Sequence, residues 1–535
     1  MSVRDTPVLI VGAGPTGLAL AHRLARHRVA FRIIDQNPGP GTASRAMVVQ
    51  ARTLEFYQQL GLADDMVALG IRMDAGQFRS SRAQPTRINF GDLGAGLSPF
   101  PFVLSLAQDE HERFLVDRLA DLGKPVEWKT RLVSYREQSD GVHVTLGNGD
   151  GTEALVAQYL CGCDGAHSTV RQQLGLDFPG GTYHELFFVA DVHTDRELAH
   201  EFIGTFDEHT LALMFPVRRT GMQRLIGIVP RELRQRDAEA DVIEFDDVRP
   251  YAEELLDITV ERVNWFSTYR VHHRVAANFR VGRVFIAGDA AHIHSPAGGQ
   301  GMNTGIGDAV NLSWKLAHVL QERIDPAVLD TYEAERIPFA RSLVHTTDRA
   351  FELLIGRRWS ARFFRTMLVP HVLPLLMRFA RTRRALFRLI SQTRISYGQS
   401  ALSRGHAGDV QAGDRLPWLA DEGSNNFQPL QSLDWQLHVY GVAQPGLRAL
   451  ADSARIPLHQ LDWSAAAEHA GFARNALYLV RPDAHVAFAA PDQDLAPLRA
   501  YVSRWRINPA PYPHPHPYPY PHPHPHPHPH PHPHP

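Results

Sequence analysis

Cysteine is nearly absent: the 535 residues carry two, Cys161 and Cys163. That rules out a disulfide framework and fits a reducing compartment. No apolar run approaches the ~20 residues needed to cross a bilayer. No basic segment with a long apolar core precedes the strand-like Val8 to Val11, so a signal peptide is not expected and the expected address is cytoplasmic. An excess of either charge is also missing. Lys and Arg number 55 against 57 Asp and Glu, a formal charge of -2, which offers no global field to nucleic acid or an anionic membrane. What remains, 44% hydrophobic and 21% charged, is the composition of a soluble globular chain. Its length suits roughly two to four domains.

Val8 to Val11 runs into Gly12-Ala13-Gly14-Pro15-Thr16-Gly17 and then an apolar-periodic helix. The first glycine makes the tight turn, the second admits a pyrophosphate, and the third lets helix pack on strand. A second strand, Phe31 to Ile34, ends in Asp35-Gln36, which places an acid for ribose hydroxyls. The acid argues against a 2′-phosphate there, so FAD or NAD fits better than NADP; the motif alone does not choose between them. A third strand, Val284 to Ala287, ends in Gly288-Asp289, and glycines follow before a helical segment from Ile306 to Leu320. Glycines at such a corner let backbone approach a bound group, and helix-start N–H groups favour partial negative charge. Cys161, Cys163 and His167, or His292 and His294, are too few ligands for a metal site, so none is expected.

Gly288-Asp289-Ala290-Ala291-His292, followed by Pro296 and Gly299-Gln300-Gly301-Met302-Asn303, resembles the second FAD motif of the class A flavoprotein monooxygenases. These are the single-component aromatic hydroxylases of the para-hydroxybenzoate hydroxylase fold, and the likeness is to the phenol hydroxylase and pentachlorophenol monooxygenase branch. Asp164-Gly165-x-x-Ser168-x-Val170-Arg171 matches a further motif of that family, in family order. The resemblance implies an α/β FAD-binding Rossmann-like domain with an inserted β-rich substrate domain. It implies FAD as cofactor, NADPH or NADH and O₂ as co-substrates, and a phenolic ring attacking a flavin C4a-hydroperoxide. It assigns Arg45 to the FAD pyrophosphate, Gln108 to the ribityl and phosphate region, and Asp164 and Gly165 to cofactor placement. The backbone from Pro296 to Asn303 would cradle the isoalloxazine ring, and Tyr269 would hydrogen-bond the substrate hydroxyl. Met47 stands where phenol hydroxylase has an acidic base, so this chain lacks that base. Rival readings are a flavin oxidoreductase that does not oxygenate and a non-catalytic FAD-binding protein.

The expected domains are a discontinuous FAD-binding domain (1–75, 104–178 and 280–345) and a substrate domain (76–103 and 179–279). A basic helical connector (346–400), a thioredoxin-like domain (408–505) and a Pro-His tail (508–535) would follow. From Phe351 to Ile395 the chain has ten arginines and one acid, Glu352, which suits a connector packed on the flavin domain better than a membrane-surface helix. The last domain has no C-x-x-C, which excludes disulfide exchange and leaves a stabilising or dimerising role. The partners expected are a small aromatic substrate and O₂, with a homodimer possible, no nucleic acid and no membrane insertion.

Overall fold

The computed structural model describes residues 4–41, 46–80, 83–91, 93–149, 151–206, 211–217, 221–233, 243–295, 298–355, 363, 368, 372–421 and 424–509. Arg45, Pro296 and the tail from 510 lie outside the described residues.

The chain opens with β1 (Arg4–Val11), α1 (Pro15–Arg26) and β2 (Phe31–Ile34). Proline at the first position of α1 suits an entry where its missing N–H costs nothing. Val8, Leu9 and Ile10 are fully buried, as a parallel strand covered on both faces requires. Then come α2 (Ala51–Leu60), α3 (Gln108–Asp121) and β3 (Gly151–Gly162). β1 pairs in parallel with β2 on one side and with β3 on the other. Sheet order continues from β3 to the strand Val284–Ile286, also parallel, so the three strand ends that carry the glycine motifs emerge side by side. Strands Arg131–Glu137 and Val142–Asn148 form an antiparallel extension on the early half of β3.

A separate eight-stranded sheet is built around β4 (Gly180–Thr194) and β5 (Val260–Val275), which pair antiparallel. It also recruits Ala75–Ser80 and Ala83–Asn89 from the first part of the chain. Its side chains alternate, as the pleat dictates. Leu186, Phe188, Ala190, Val192 and Leu225 pack with Val248 and Leu256 of the helix Phe245–Leu256. Phe187, Leu211, Ile228, Tyr269 and Val271 share the opposite face. Further along that face Phe215, Val217 and Ile226 pack on Met47, Val48 and Ala107 of the flavin-motif region. The helix covers one face and the dinucleotide fold closes over the other.

The chain returns through α4 (Gly301–Leu320) and α5 (Asp330–Ile355), reaches α6 (Ala380–Ile390), and ends in a third sheet. That sheet contains a parallel strand–helix–strand unit (Gln436–Tyr440, Pro445–Ala454, Leu458–Leu461). An antiparallel pair, Leu477–Val480 with Val486–Ala490, and the helix Leu495–Trp505 complete it. Trp435 meets Trp314 of α4 edge-on at 5.5 Å, so this region shares a core with the flavin fold. No helix among the described residues is long and apolar enough to cross a membrane.

Among the described residues His22, His111, His318 and His438 are fully buried, and burial holds them neutral. His22 is lowered to about 4, His111 to about 3 and His438 to about 3. An unfolded histidine titrates near 6.5, so between pH 6.5 and the folded values the unfolded state binds more protons. Stability is therefore present in full above pH 6.5 and falls as pH drops toward 4, by up to ~3 kcal/mol per histidine. The urea midpoint is expected to fall clearly between pH 7 and 5, with at least about four protons taken up on unfolding at pH 5. A flat midpoint over that range would show that these rings are not held neutral.

Candidate active site

The turn after β1 is forced to be glycine. Gly12 has φ +103°, and a Cβ there would sit 2.3 Å from the Cys163 carbonyl oxygen at the end of β3. Gly17, buried in the first turn of α1, would drive a Cβ to 2.0 Å from the Gly12 oxygen. Gly14 differs: a Cβ there meets no atom within 4 Å, and no side chain caps the start of α1. Glycine at 14 thus leaves free the approach to the α1 N-terminus, where N–H groups favour a phosphate. Pro15 and Thr16 begin that helix. Asp35 closes the corner, accepting from Ala13 N–H at 2.8 Å and Asn37 N–H at 2.9 Å, and lone pairs remain for ribose hydroxyls. Gln36 is exposed beside it.

The second motif lies directly over the first. Gly288 has φ +63°, and its missing Cβ would lie 2.5 Å from Thr16 Oγ1. Gly305 of α4 approaches the same hydroxyl, so Thr16 is clasped between strand end and helix. Asp289 is exposed in a 3₁₀ turn over the cleft. The third motif is tied to the second by Arg171, whose guanidinium donates to the carbonyls of Ala290 and Ala166, both at 2.8 Å, and lies over Phe178 at 3.8 Å. Asp164 accepts from Ser168 Oγ at 2.5 Å and Val170 N–H at 3.2 Å, bracing the turn at Gly165. Burial raises the Asp164 carboxyl above its ordinary value, with the Ser168 and Val170 bonds opposing.

Gln108 opens α3 as expected, and its amide braces the loop that carries Arg45. Its Oε1 accepts from Ala46 N–H at 3.2 Å and its Nε2 donates to Glu112 at 2.8 Å. Glu112 in turn accepts from Gly41 N–H at 3.0 Å. Gly41 and Ala46 are thus both fixed to α3. Arg224, fully buried on the second sheet, pairs bidentately with Asp191 at 2.7 and 2.8 Å and also donates to the Ala46 carbonyl at 3.4 Å. Neither Glu112 nor Arg224 was singled out from the sequence, since each lies in a stretch without motif character.

Gly299 approaches Val48, Gly301 begins α4, and Met302 is half-buried behind the loop. Asn303 was expected to lend its backbone to the flavin cradle, and its side chain is wholly spent within the protein. Its Nδ2 donates to Val48 O and Gly299 O, both at 2.8 Å; its Oδ1 accepts from Gln50 N–H at 2.9 Å and Thr53 Oγ1 at 2.7 Å. An amide has four such valences, so none is left for a ligand. Asn303 instead ties the glycine loop to the strand and helix below it.

Beneath the cradle lies a group the motifs do not announce. Asp308 accepts from Gly288 N–H at 2.9 Å, His292 Nε2 at 2.7 Å and Arg336 Nε at 2.6 Å. Arg336 continues to Tyr397 OH and Thr304 O. Although burial alone would raise it, the Arg336 and His292 charges hold the Asp308 carboxyl down at about 2. His292 is therefore a strut of this hub, and among the described residues no cluster of metal-ligating side chains exists.

Tyr269 lies on β5 opposite Phe187, their rings 5.8 Å apart, on the sheet face that packs against Met47 and Val48. The tight glycine turn, the open helix start, the ribose-binding acid and the loop over α4 fit a flavin dinucleotide.

The family described as FAD binding domain matches residues 5–347. A 6-methylpretetramide 4-monooxygenase of Streptomyces rimosus is 38% identical over 412 residues, 75% of this chain and 70% of the relative. A 12-dehydrotetracycline 5-monooxygenase/anhydrotetracycline 6-monooxygenase of Streptomyces rimosus subsp. rimosus is 32% identical over 94% of this chain and 99% of its own length. The solved structure of an anhydrotetracycline hydroxylase from Streptomyces rimosus superposes with a TM-score of 0.73 at 28% identity, covering 95% of this chain and 100% of that one. The chain belongs to the FAD-binding domain family, within which it is an FAD-dependent aromatic-ring monooxygenase.

Proposed function

We propose that this monooxygenase hydroxylates a planar, polycyclic phenol held on the flavin-facing side of the second sheet. One observation carries the reading: a row of half-buried aromatic rings on and beside that face. Phe202 stacks on Phe215 at 4.9 Å and on Phe90 at 5.9 Å, with interplanar angles of 20° and 1°, and Phe78 meets it edge-on at 5.4 Å. Flat rings favour offset stacking on such a surface, and a fused polycycle uses more of it than a single ring does. The relatives that act on tetracyclic substrates support the same class.

FAD, reduced by NADPH or NADH, supplies the activation of O₂. The protein holds the ring and keeps water out, because water diverts the activated oxygen to H₂O₂. Tyr269 hydrogen-bonds the substrate hydroxyl and favours its phenolate-like, more nucleophilic form. Asp289 and Asp35 hold cofactor hydroxyls, and Arg45 meets the pyrophosphate from a loop anchored by Gln108 and Glu112. Both catalytic assignments, Tyr269 and the Pro296 loop, belong to this proposal, as do a cytoplasmic address and the domain boundaries given above.

The test is anaerobic reduction of the yellow holoprotein by NAD(P)H with single-ring phenols and with three- and four-ring phenols, followed by O₂. Polycyclic phenols are expected to accelerate flavin bleaching and give hydroxylated product. Turnover confined to single-ring phenols overturns the polycycle assignment. Tyr269→Phe is expected to lower the product formed per NAD(P)H consumed about tenfold, the weight of one charge-assisted hydrogen bond. Coupling equal to wild type removes Tyr269 from the site.

A further inference from the structure

An enzyme that consumes a nicotinamide dinucleotide must receive its phosphates, yet the chain has one GxGxxG, at Gly12 to Gly17, and the flavin occupies that role. Positive charge is concentrated elsewhere. Between Glu352 and Asp409 there is no acidic residue at all, in a chain whose formal charge is -2. Arg384 and Arg388 stand one turn apart on the same side of α6, and Arg394 follows the helix end. None of the three pairs with a carboxylate among the described residues; Arg384 donates to His469 at 2.8 Å. Burial and the like charges of Arg384, Arg394 and Arg415 push Arg388 below its ordinary value, so the guanidinium groups are close enough to repel one another.

The cluster lies beside the flavin cradle. The Ile390 carbonyl, at the end of α6, accepts from Gln300 Nε2 at 3.3 Å, and Gln392 donates to Gln300 Oε1 at 2.7 Å and Thr304 Oγ1 at 2.9 Å. Gln300 is the residue that enters α4. Ser391 O accepts from Arg52 N–H at 3.2 Å, which fixes the same corner to α2. One apolar side chain of α6 is seated in the protein: Phe387 is buried, and a Cβ on Gly94 would fall 2.4 Å from its ring. What α6 presents outward is charge at Arg388 together with an exposed Leu389, so a lipid surface is a rival occupant that vesicle sedimentation must separate.

We propose that Arg384, Arg388 and Arg394 receive the phosphates of the reduced nicotinamide dinucleotide and bring it to the flavin. Unpaired guanidinium groups suit phosphate oxygens, and the repulsion among them is relieved by an anion. This assignment rests on the monooxygenase reading, and binding tests it separately from turnover. In the holoprotein, Arg388→Glu/Arg394→Glu is expected to raise the NADPH dissociation constant in anaerobic reduction at least about tenfold and to flatten its salt dependence. FAD content, phenol affinity and the limiting reduction rate are expected to stay at wild-type values, and Arg388→Lys/Arg394→Lys to recover most of the affinity. An unchanged NADPH dissociation constant overturns the proposal. So does loss of phenol affinity in place of NADPH affinity. Should wild type oxidise NAD(P)H with no phenol, titration with NADPH and 2′,5′-ADP still decides. Binding lost in the double variant supports the patch, and no binding to wild type overturns it. Sedimentation of wild type with phosphatidylserine vesicles, with NADPH affinity the same in both proteins, would assign the patch to lipid and overturn it as well.

Discussion

Asp308→Ala is expected to empty the enzyme of FAD and to lower its stability by ~3–5 kcal/mol, the cost of removing one partner from a buried ion pair. The carboxylate holds three donors on three segments: Gly288 in the cofactor turn, His292 after it, and Arg336 on α5. Without it, the Arg336 guanidinium stays buried without that counter-charge, and Gly288 N–H loses its acceptor at the point where the second motif bends. Asp308→Asn keeps an acceptor but not the charge, so it should retain more flavin than alanine while still losing stability. The ratio of flavin to protein absorbance after gel filtration, with the urea midpoint, reads both effects. Wild-type flavin content in Asp308→Ala would mean that the cradle holds its shape without the hub.

Arg481→Met is expected to destabilise the whole protein as a single unit, again by ~3–5 kcal/mol. Arg481 is fully buried and donates to Glu335 at 2.7 and 2.9 Å and to Asp483 at 3.0 and 2.6 Å. Glu335 lies on α5 and also accepts from Lys315 at 2.8 Å, Asn311 at 2.6 Å and Ser400 at 2.6 Å. Asp483 O and Pro482 O accept from Arg52 at 2.8 Å and Arg23 at 3.2 Å. The loop between the last two strands thus plugs into the back of the dinucleotide fold. Removing Arg481 leaves buried Glu335 with Lys315 as its charged partner and Asp483 with Trp314 Nε1 at 3.2 Å and His485 Nδ1 at 3.4 Å, and burial already lowers the Lys315 amine to about 8 despite Glu335. Calorimetry is expected to show one transition for flavin fold and C-terminal sheet together, displaced downward in the variant. Two separate transitions, with only the later one moved, would show that the C-terminal region folds independently of the flavin fold.

The cofactor motifs were legible because each is local. A tight turn, a helix start and an acid at a strand end are set by neighbours in sequence, so Gly12 to Gly17, Asp35 and Gly288 to Asp289 could be read directly. The strut role of the Asn303 side chain was not legible, because a motif position says nothing about how many hydrogen bonds its neighbours take up. Asp308, Arg336, Glu112 and Arg224 were not singled out, since the partners that give them their roles stand tens of residues away: Arg336 for Asp308, Gly41 for Glu112 and Asp191 for Arg224.

By itself the sequence determined a dinucleotide-binding fold and the absence of a disulfide framework, which follow from short-range periodicity, backbone-demanding glycines and composition. The flavin as its ligand came from the resemblance of its motifs to those of the class A monooxygenases. Tertiary structure alone showed that Asp308, His292 and the Asn303 side chain are struts. It also showed that the C-terminal sheet is locked to the flavin fold, and that Arg384, Arg388 and Arg394 have no carboxylate partners among the described residues. Burial, charge pairing and hydrogen-bond saturation depend on what the rest of the chain brings to the same place, and no local pattern encodes that.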